Sequence, residues 1–359
     1  MKQCLIDTLS QIGKSTRLER LPDGTEVLIL PYGGRVLGLF SAVSGENFFW
    51  THPALQSAQS AAELYGSDRW HNSGGDRTWL APEVDVFLPN FPRTDVYHQP
   101  RQLDPGQWRV VAEEGAVRLV NRLTCHLSRT KVEVEMEISK SVAPAANPLR
   151  CEPGLADLAR VEYAGYTLRT SLELVGPAAG QRGPVGLWNL IQMPHGGDML
   201  IPTYFKTEPK VLFGTVSAQD LESGNHLVRY RMRAAGEQKI AIRAIAAAGR
   251  IGYRYLASDG RWALVVRNVF VNPSGQYVDV PWDDPQDFGY AIQACNIHSA
   301  LGSFSELEYH VPAIGLGTGC SRSEDVAQTW AFRGTRAEID RIAASLLTSD
   351  GVGAAPTEA

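Results

Sequence analysis

Apolar and polar residues alternate with a period of two along most of this chain. The clearest example is residues 131–139, where Val132, Val134, Met136 and Ile138 are separated by glutamates. This alternation gives a strand one buried and one solvated face, as in an antiparallel sheet. Comparable runs predict strands at residues 26–30, 35–40, 115–127, 161–174, 227–232, 239–245, 261–270 and 304–311.

Helical periodicity is confined to two segments. Residues 53–65 predict a short helix. A second helix is predicted at Arg336–Leu347, where Thr335 and Glu338 have the spacing of a capping box. Because strands predominate and no βαβ alternation occurs, the pattern predicts an all-β fold of antiparallel sheets with a short C-terminal helix.

The composition is that of a folded globular protein with one large core. Hydrophobic residues occupy 44% of the 359 positions, and 20% of the residues are charged. Such a chain needs neither disulfide bonds nor a metal ion to be stable. We therefore expect a single domain over residues 1–347, and the residues that follow, 348–359, are expected to form a disordered tail.

Charge and cysteine usage exclude several functional classes. The net charge of −5, without a cluster of Lys and Arg, argues against nucleic-acid binding. No apolar run approaches the roughly 18 residues of a membrane span, and the first residues lack the apolar core of a signal peptide. Five cysteines without metal-binding spacing predict free thiols. We expect a cytoplasmic monomer or homodimer that binds neither nucleic acid nor membrane.

Residues 71–83 form the first segment that interrupts the alternation of strands and turns. Two adjacent glycines are followed by Asp76, Arg77 and Trp79. Arginine offers a planar set of donors to hydroxyl or carboxylate groups, and tryptophan offers an apolar face to a sugar ring. The segment therefore predicts a ligand-binding site. The alternative is a tight turn that carries an Asp–Arg ion pair on the surface.

A second such segment covers residues 187–203. Strand alternation places Trp188 and Gln192 on one side, after which Pro194 ends the strand and His195 lies in a glycine-flanked loop. Histidine titrates near neutral pH, so it can serve as a general acid or base. The alternative is a solvated loop histidine without a function.

The third segment, residues 304–313, concentrates ionisable groups on one face of a strand. A period of two places Glu306, Glu308 and His310 together, opposite the apolar residues that face the core. Two carboxylates ~7 Å apart raise each other's pKa and supply an acid/base pair if the face lines a groove. The alternative is an ordinary solvated strand face.

These segments resemble a known family. Residues 33–35 together with 46–50 are similar to the opening hairpin of galactose-mutarotase-like proteins, and residues 74–83 and 306–312 resemble a branch of that superfamily without an assigned function. The resemblance extends from about residue 26 to residue 332. It implies a β-supersandwich of antiparallel sheets with a concave, sugar-binding face.

The resemblance also implies roles for individual residues. In aldose 1-epimerases, a glutamate late in the chain removes the proton of the anomeric hydroxyl, and a mid-chain histidine protonates the ring oxygen. Glu308 is similar to this base, His195 lies in the interval of the acid, and Arg77 is similar to a sugar-binding arginine. Glu306 stays a second candidate for the base, because the spacing after Glu308 departs from the epimerase pattern. The early catalytic histidine of the epimerases is not found in its usual motif.

The sequence thus predicts an aldose 1-epimerase-like isomerase that acts on a small sugar or sugar derivative without metal or cofactor. The candidate catalytic residues are Glu308, His195 and Glu306, and the candidate sugar-binding residues are Arg77, Asp76, Trp79, Trp188, Gln192 and His310. Two other classes stay open, since a fold does not fix a function. A non-catalytic sugar-binding protein would need the aromatic residues but no acid/base pair. A polysaccharide lyase would use Arg77 to neutralise the carboxylate of a uronic sugar.

Overall fold

The computed structural model describes residues 2–151, 153–176 and 182–347, and its strands pair into two antiparallel sheets. The predicted all-β class with a C-terminal helix is confirmed. The tail predicted at residues 348–359 lies outside the described residues.

The first sheet has nine strands and carries the candidate site. In spatial order its strands are β1 (Arg17–Arg20), β2 (Glu26–Leu30), β3 (Arg35–Phe40), β4 (Asp76–Ala81), β9 (Gly186–Pro194), β18 (Gly302–His310), β17 (Ile292–Ser299), β14 (Gly236–Ile242) and β11 (Lys210–Phe213). The mid-chain strand β9 lies between β4 from the first part of the chain and β18 from the last part, and it pairs with both.

The second sheet has ten strands and packs against the first. Its strands in spatial order are β12 (Leu221–Ser223), β13 (Leu227–Arg231), β10 (Asp198–Pro202), β15 (Arg250–Leu256), β16 (Trp262–Asn268), β19 (Arg322–Gly334), β8 (Glu162–Leu174), β7 (Val132–Pro144), β6 (Ala116–Leu127) and β5 (Arg109–Glu113). The largest cluster of buried apolar side chains draws on strands of both sheets.

The described part of the chain has four α-helices beside the sheets: α1 (Lys2–Gln11), α2 (Ala58–Gly66), α3 (Glu83–Val86) and α4 (Arg336–Leu347). The predicted capping box of α4 is present, because Thr335 and Glu338 each accept a hydrogen bond from the other's backbone N–H. The pattern missed α1, a short amphipathic helix that buries Leu5 and Leu9. Among the described residues, no helix is long and apolar enough to cross a membrane.

A buried ion cluster ties the two sheets together. Asp76 on β4 of the first sheet accepts hydrogen bonds from Lys140, Tyr166 and Arg267 of the second sheet, at 2.8, 2.6 and 2.7 Å. Burial raises the pKa of the Asp76 carboxyl, but the two cations outweigh this effect and lower it below its usual value. Asp76 was expected to bind substrate. The structure corrects this expectation, because the side chain faces the second sheet.

Candidate functional site

Rows of polar side chains cross one face of the first sheet. Directly opposed residues of antiparallel strands share a face, so strand register identifies the members of each row. The first row runs over four strands through Lys239, Cys295, Glu306 and Gln192. These residues lie far apart in sequence, and pairing of β14, β17, β18 and β9 aligns them.

Two further rows lie beside the first on the same face. The second row contains Gln293, Glu308, Leu190 and Arg77, and the third contains His310, Trp188 and Trp79. The predicted alternation of β18 therefore holds in the structure, since it directs Glu306, Glu308 and His310 to one face.

A cavity of about 1040 Å³ opens over these rows. From the sheet it is lined by Arg77, Trp79, Trp188, Lys239, Cys295, Ile297, Phe304 and Glu306. The start of α3 adds Glu83, and loops add Trp70, Tyr97 and Trp282 among others. The volume is at the upper end for small-molecule sites, and the combination of apolar walls with a few convergent polar groups is typical of them.

Glu306 presents a carboxylate to this cavity. Its Oε1 accepts a hydrogen bond from Arg77 at 2.8 Å and a second from the Gln192 side-chain amide at 2.9 Å. The guanidinium of Arg77 also lies 4.1 Å from the centroid of the Trp79 ring. The carboxylate is thus held in a fixed orientation by an ion pair, and the arginine is fixed in turn by an aromatic face.

Glu308 lies behind the cavity wall, because its side chain is fully buried and does not line the cavity. Its Oε2 accepts a hydrogen bond from Trp188 Nε1 at 2.8 Å and lies 3.1 Å from Lys239 Nζ. Burial raises the pKa of Glu308 to about 8, with a further contribution from the charge of Glu306, whereas Lys239 opposes the shift.

Lys239 lies between two carboxyl groups in the cavity wall. Besides its contact with Glu308, its Nζ lies 4.0 Å from Glu83 Oε2 and 4.3 Å from the centroid of the Trp188 ring. Burial alone would lower the pKa of this lysine, but the nearby carboxylates outweigh burial and raise it above its usual value. The surrounding carboxyl groups therefore favour the protonated, positively charged form of Lys239.

Glu83 is a second carboxyl group that lines the cavity. Tyr97 donates a hydrogen bond to its Oε1 at 2.7 Å, and Trp282 Nε1 donates one to its Oε2 at 3.1 Å. Burial raises the pKa of Glu83, the charge of Asp279 adds to the shift, and Lys239 opposes it. Sequence reasoning included Glu83 in the segment of residues 71–83 but assigned it no role.

His310 shares the face of these carboxyls but is buried away from the cavity. Its ring stacks on Trp188 with centroids 5.6 Å apart, and its Nε2 lies 3.7 Å from Asp279 Oδ2. Neither ring nitrogen has a hydrogen-bond partner among the described residues. Burial lowers the pKa of His310 to about 4, which favours the neutral ring at neutral pH.

His195 lies on the opposite side of the first sheet. Strand alternation in β9 directs Trp188 and Gln192 toward the cavity, and His195 has the other parity. Its ring stacks on His298, with centroids 4.7 Å apart, and does not line the cavity. Burial lowers its pKa. The role of acid that the resemblance implies for His195 is therefore corrected, because His195 and Glu308 lie on opposite sides of the sheet.

The structure thus separates the predicted site residues into three groups. Those that line the cavity are Arg77, Trp79, Trp188 and Glu306; those in the wall behind it are Gln192, Glu308 and His310; those elsewhere are Asp76 and His195. Sequence reasoning missed Lys239, Tyr97 and Trp282. Little in the sequence indicated that Lys239 belongs to the site, because a lysine in a predicted strand usually faces solvent.

Among the described residues, Cys295, Glu306 and Glu308 form a group whose ligand atoms lie close enough together to hold a metal ion. Cys295 Sγ and one oxygen of each carboxyl lie within 4.8 Å of one another. Burial and the two carboxylates raise the pKa of the Cys295 thiol well above its usual value, which favours the neutral form. Arg77 and Lys239 already pair with these carboxyls, so positive charge is supplied by the chain itself.

A family model matches residues 5–351, nearly the whole chain, and describes a family of unknown function, DUF6786. The chain belongs to this family. No curated protein sequence matches the chain.

Several solved structures are similar to this member of DUF6786 along most of its length. The Slr1438 protein from Synechocystis is 14% identical, with a TM-score of 0.49 over 90% of this chain and 96% of that chain. A galactose mutarotase related enzyme from Lactobacillus acidophilus is 9% identical, with a TM-score of 0.46 over 90% and 97%. The GalM/aldose epimerase homologue from C. elegans is 9% identical, with a TM-score of 0.42 over 89% and 99%. Two of these three structures are named as a galactose mutarotase related enzyme and an aldose epimerase homologue.

Proposed function

We propose that this DUF6786 protein is a sugar mutarotase that interconverts the anomers of an aldose or aldose derivative in the cavity of the first sheet. The observation that carries the proposal is the carboxylate of Glu306, which lines an aromatic-walled cavity and is oriented there by Arg77 and Gln192. A buried, oriented carboxylate beside stacking surfaces is suited to remove a proton from a bound sugar.

The walls of the cavity supply what binding of a sugar requires. Trp79 and Trp188 meet edge to face, with ring centroids 5.5 Å apart, and the rings of Trp70 and Trp282 line the cavity as well. The apolar face of a pyranose can stack on such rings, while Arg77 offers hydrogen-bond donors to its hydroxyls. Two nitrogens of Arg77, Nε and Nη1, have no hydrogen-bond partner among the described residues.

The reaction proceeds by opening and closing the sugar ring. Glu306 accepts the proton of the anomeric hydroxyl while an acid protonates the ring oxygen, so that the bond between C1 and this oxygen breaks and a carbonyl forms at C1. Rotation about C1–C2 then allows closure on either face of the carbonyl. Each group that assists a proton transfer contributes typically ~10²–10⁴-fold.

We assign the base to Glu306 rather than to Glu308 because of their access to the cavity. Glu306 lines the cavity, whereas Glu308 is fully buried behind Trp188 and Lys239. Glu308 instead fixes the position of Lys239 in the cavity wall.

The proposal is tested by measuring anomer exchange by NMR in the purified protein, over a panel of neutral, amino, phosphorylated and uronic sugars. For a sugar that is exchanged, Glu306→Gln should lower the rate by about 100-fold or more and change the Kd little, because the base acts mainly in the transition state. Glu114→Gln is the matched control, since Glu114 is an exposed carboxyl that lies outside the cavity.

Three outcomes would replace the proposal. Sugar binding without exchange anywhere in the panel would favour a non-catalytic sugar-binding protein. An unsaturated product that absorbs in the ultraviolet would favour a lyase. Exchange that survives Glu306→Gln but not Glu308→Gln would transfer the base to Glu308.

A further inference from the structure

Ring opening needs an acid as well as a base, and the histidine predicted for that role lies on the wrong face of the sheet. His310 is on the right face, but it is buried behind Trp188 and does not line the cavity. The inference that follows concerns the group that protonates the ring oxygen, and it rests on the mutarotase function proposed above.

The charge balance of the cavity wall indicates which groups hold protons. Four carboxyl groups face two cations: Glu83, Asp279, Glu306 and Glu308 against Lys239 and Arg77. Buried charges that lack partners are costly, and carboxyl groups avoid this cost by remaining protonated. Burial accordingly raises the pKa of Glu83 and of Glu308. Of these two, only Glu83 lines the cavity.

The position of Glu83 is fixed by groups from three separate segments. Its backbone N–H donates a hydrogen bond to Asp279 Oδ1 at 2.8 Å, and its carboxyl oxygens contact Tyr97 and Trp282. Lys239 lies between this carboxyl and that of Glu308. The carboxyl is thus buried, oriented and in contact with the cavity, as a general acid must be.

We propose that Glu83 is the general acid of the anomerisation and that it gives its proton to the ring oxygen of the bound sugar. As Glu306 takes the proton of the anomeric hydroxyl, the proton of Glu83 forms a bond to the ring oxygen and the electron pair of the C1–O bond passes to that oxygen. The open-chain aldehyde then lies between a protonated Glu306 and an ionised Glu83.

Closure runs the same steps backwards. The Glu83 carboxylate removes the proton from the hydroxyl that was the ring oxygen, this oxygen attacks C1, and Glu306 returns its proton to the carbonyl oxygen. Both residues regain their starting forms, so no metal, oxidant or other reactant is consumed. Lys239 stabilises the ionised form of Glu83 in the intermediate, because its ammonium is 4.0 Å away. Tyr97 and Trp282 are positioning residues.

The test compares the pH profile of anomer exchange in wild type, Glu83→Gln, Glu83→Asp and Glu114→Gln. Glu114 is the matched control, because it is an exposed carboxyl outside the cavity. Wild type should lose activity as pH rises and Glu83 loses its proton. Glu83→Gln should lower the rate of exchange by about 100-fold or more and abolish the loss of activity at high pH. Glu83→Asp keeps a carboxyl group and should restore some activity. Circular dichroism and Kd for the sugar should be unchanged in each variant.

A direct measurement of protonation separates this inference from the proposed function. Infrared difference spectra of wild type against Glu83→Gln, titrated between acid and alkaline pH, report the carbonyl band of the protonated acid without any sugar. Should Glu83→Gln not fold, Tyr97→Phe keeps the carboxyl and should slow exchange while shifting its alkaline limb.

The outcomes are distinguishable. Exchange that Glu306→Gln abolishes but Glu83→Gln leaves intact would overturn this inference alone. A Glu83 carboxyl that is ionised at neutral pH would overturn it as well, whatever the activity. Absence of exchange with every sugar would overturn the proposed function, and a Glu83 band at neutral pH would then still show that the residue holds a proton.

Discussion

Two residues apart on one strand, Glu306 and Glu308 have different surroundings. Strand alternation correctly predicts that both point to one face together with His310, because this depends only on local backbone geometry. It does not predict that Trp188 and Lys239, from strands distant in sequence, contact Glu308 and enclose it. The access of each carboxyl to the cavity is set by these long-range contacts, and hence the choice of base could not be made from the sequence.

The same burial gives His310 a measurable effect on stability. Burial, assisted by Lys239, lowers the pKa of His310 from its usual ~6.5 to about 4 in the folded protein, against the effect of Asp279. Between these values the unfolded chain binds a proton that the folded protein does not bind. The free energy of unfolding should therefore decrease as pH falls through this window, by at most about 3 kcal/mol for this group.

Urea denaturation at pH 7 and at lower pH tests this expectation. His310→Gln removes the titrating group, so its stability should depend less on pH between 6.5 and 4 than that of wild type. The same substitution at the exposed His126 is the control. Parallel pH dependences of wild type and His310→Gln would contradict the assignment.

At the scale of elements, the alternation of side chains along β9 predicts which face of the sheet each residue lies on, and comparison of motifs did not use this prediction. Gln192 and His195 are an odd number of residues apart, so an extended chain directs them to opposite faces. The resemblance assigned His195 the role of the acid from its position along the chain, without regard to the face of the sheet. In the structure, Gln192 and His195 lie on opposite faces, as the alternation predicts. For Arg77 the burial pattern could not indicate a side, because every residue of β4 is buried.

The strand that carries Arg77 begins with a close backbone approach. Gly75 has a φ of +74°, and a Cβ at this position would lie 2.3 Å from the carbonyl oxygen of Val36. Gly260 has a similar φ of +81° but open space around it. Gly260→Ala should therefore cost only the strain of the left-handed backbone, about 1 kcal/mol, whereas Gly75→Ala should cost about 3 kcal/mol or more.

Thermal and urea denaturation of the two variants measure this difference. Because displacement of β4 would also shift Arg77, Gly75→Ala should weaken sugar binding, and Gly260→Ala should not. Equal losses of stability in the two variants would show that the backbone of β4 can move away from β3.

At the scale of the molecule, the sequence predicts the fold class but not the strand order. Period-two patterns identify strands one at a time, and the cavity is formed only when β4, β9, β18, β17 and β14 become neighbours. Loops that precede β4, that follow α3 and that follow β16 then close the cavity with Trp70, Tyr97 and Trp282. No local pattern predicts this strand order, because strands such as β9 and β18 pair although they are more than one hundred residues apart in the sequence.

The charges that line the cavity lead to a prediction about its ligands. Six acidic residues line it, Glu63, Asp68, Glu83, Asp95, Glu237 and Glu306, against three cations, Arg69, Arg77 and Lys239. Of the cations, Arg77 and Lys239 are already paired with buried carboxyls. The remaining field at the entrance is negative, so it should attract a cationic ligand and repel an anionic one.

Sugars that differ in one substituent measure this selectivity. At low ionic strength an amino sugar such as glucosamine should bind more tightly than glucose, and glucuronate should bind less tightly, with roughly tenfold, ~1.4 kcal/mol, between the extremes. The differences should shrink in high salt, because the entrance residues are exposed and salt screens them. A Glu63→Gln/Asp95→Asn/Glu237→Gln variant should remove the preference while leaving glucose binding unchanged. If glucuronate instead bound best and lost its advantage in Arg77→Ala, the cavity would recognise an acidic sugar through Arg77, and a reaction on uronic sugars would become the better assignment.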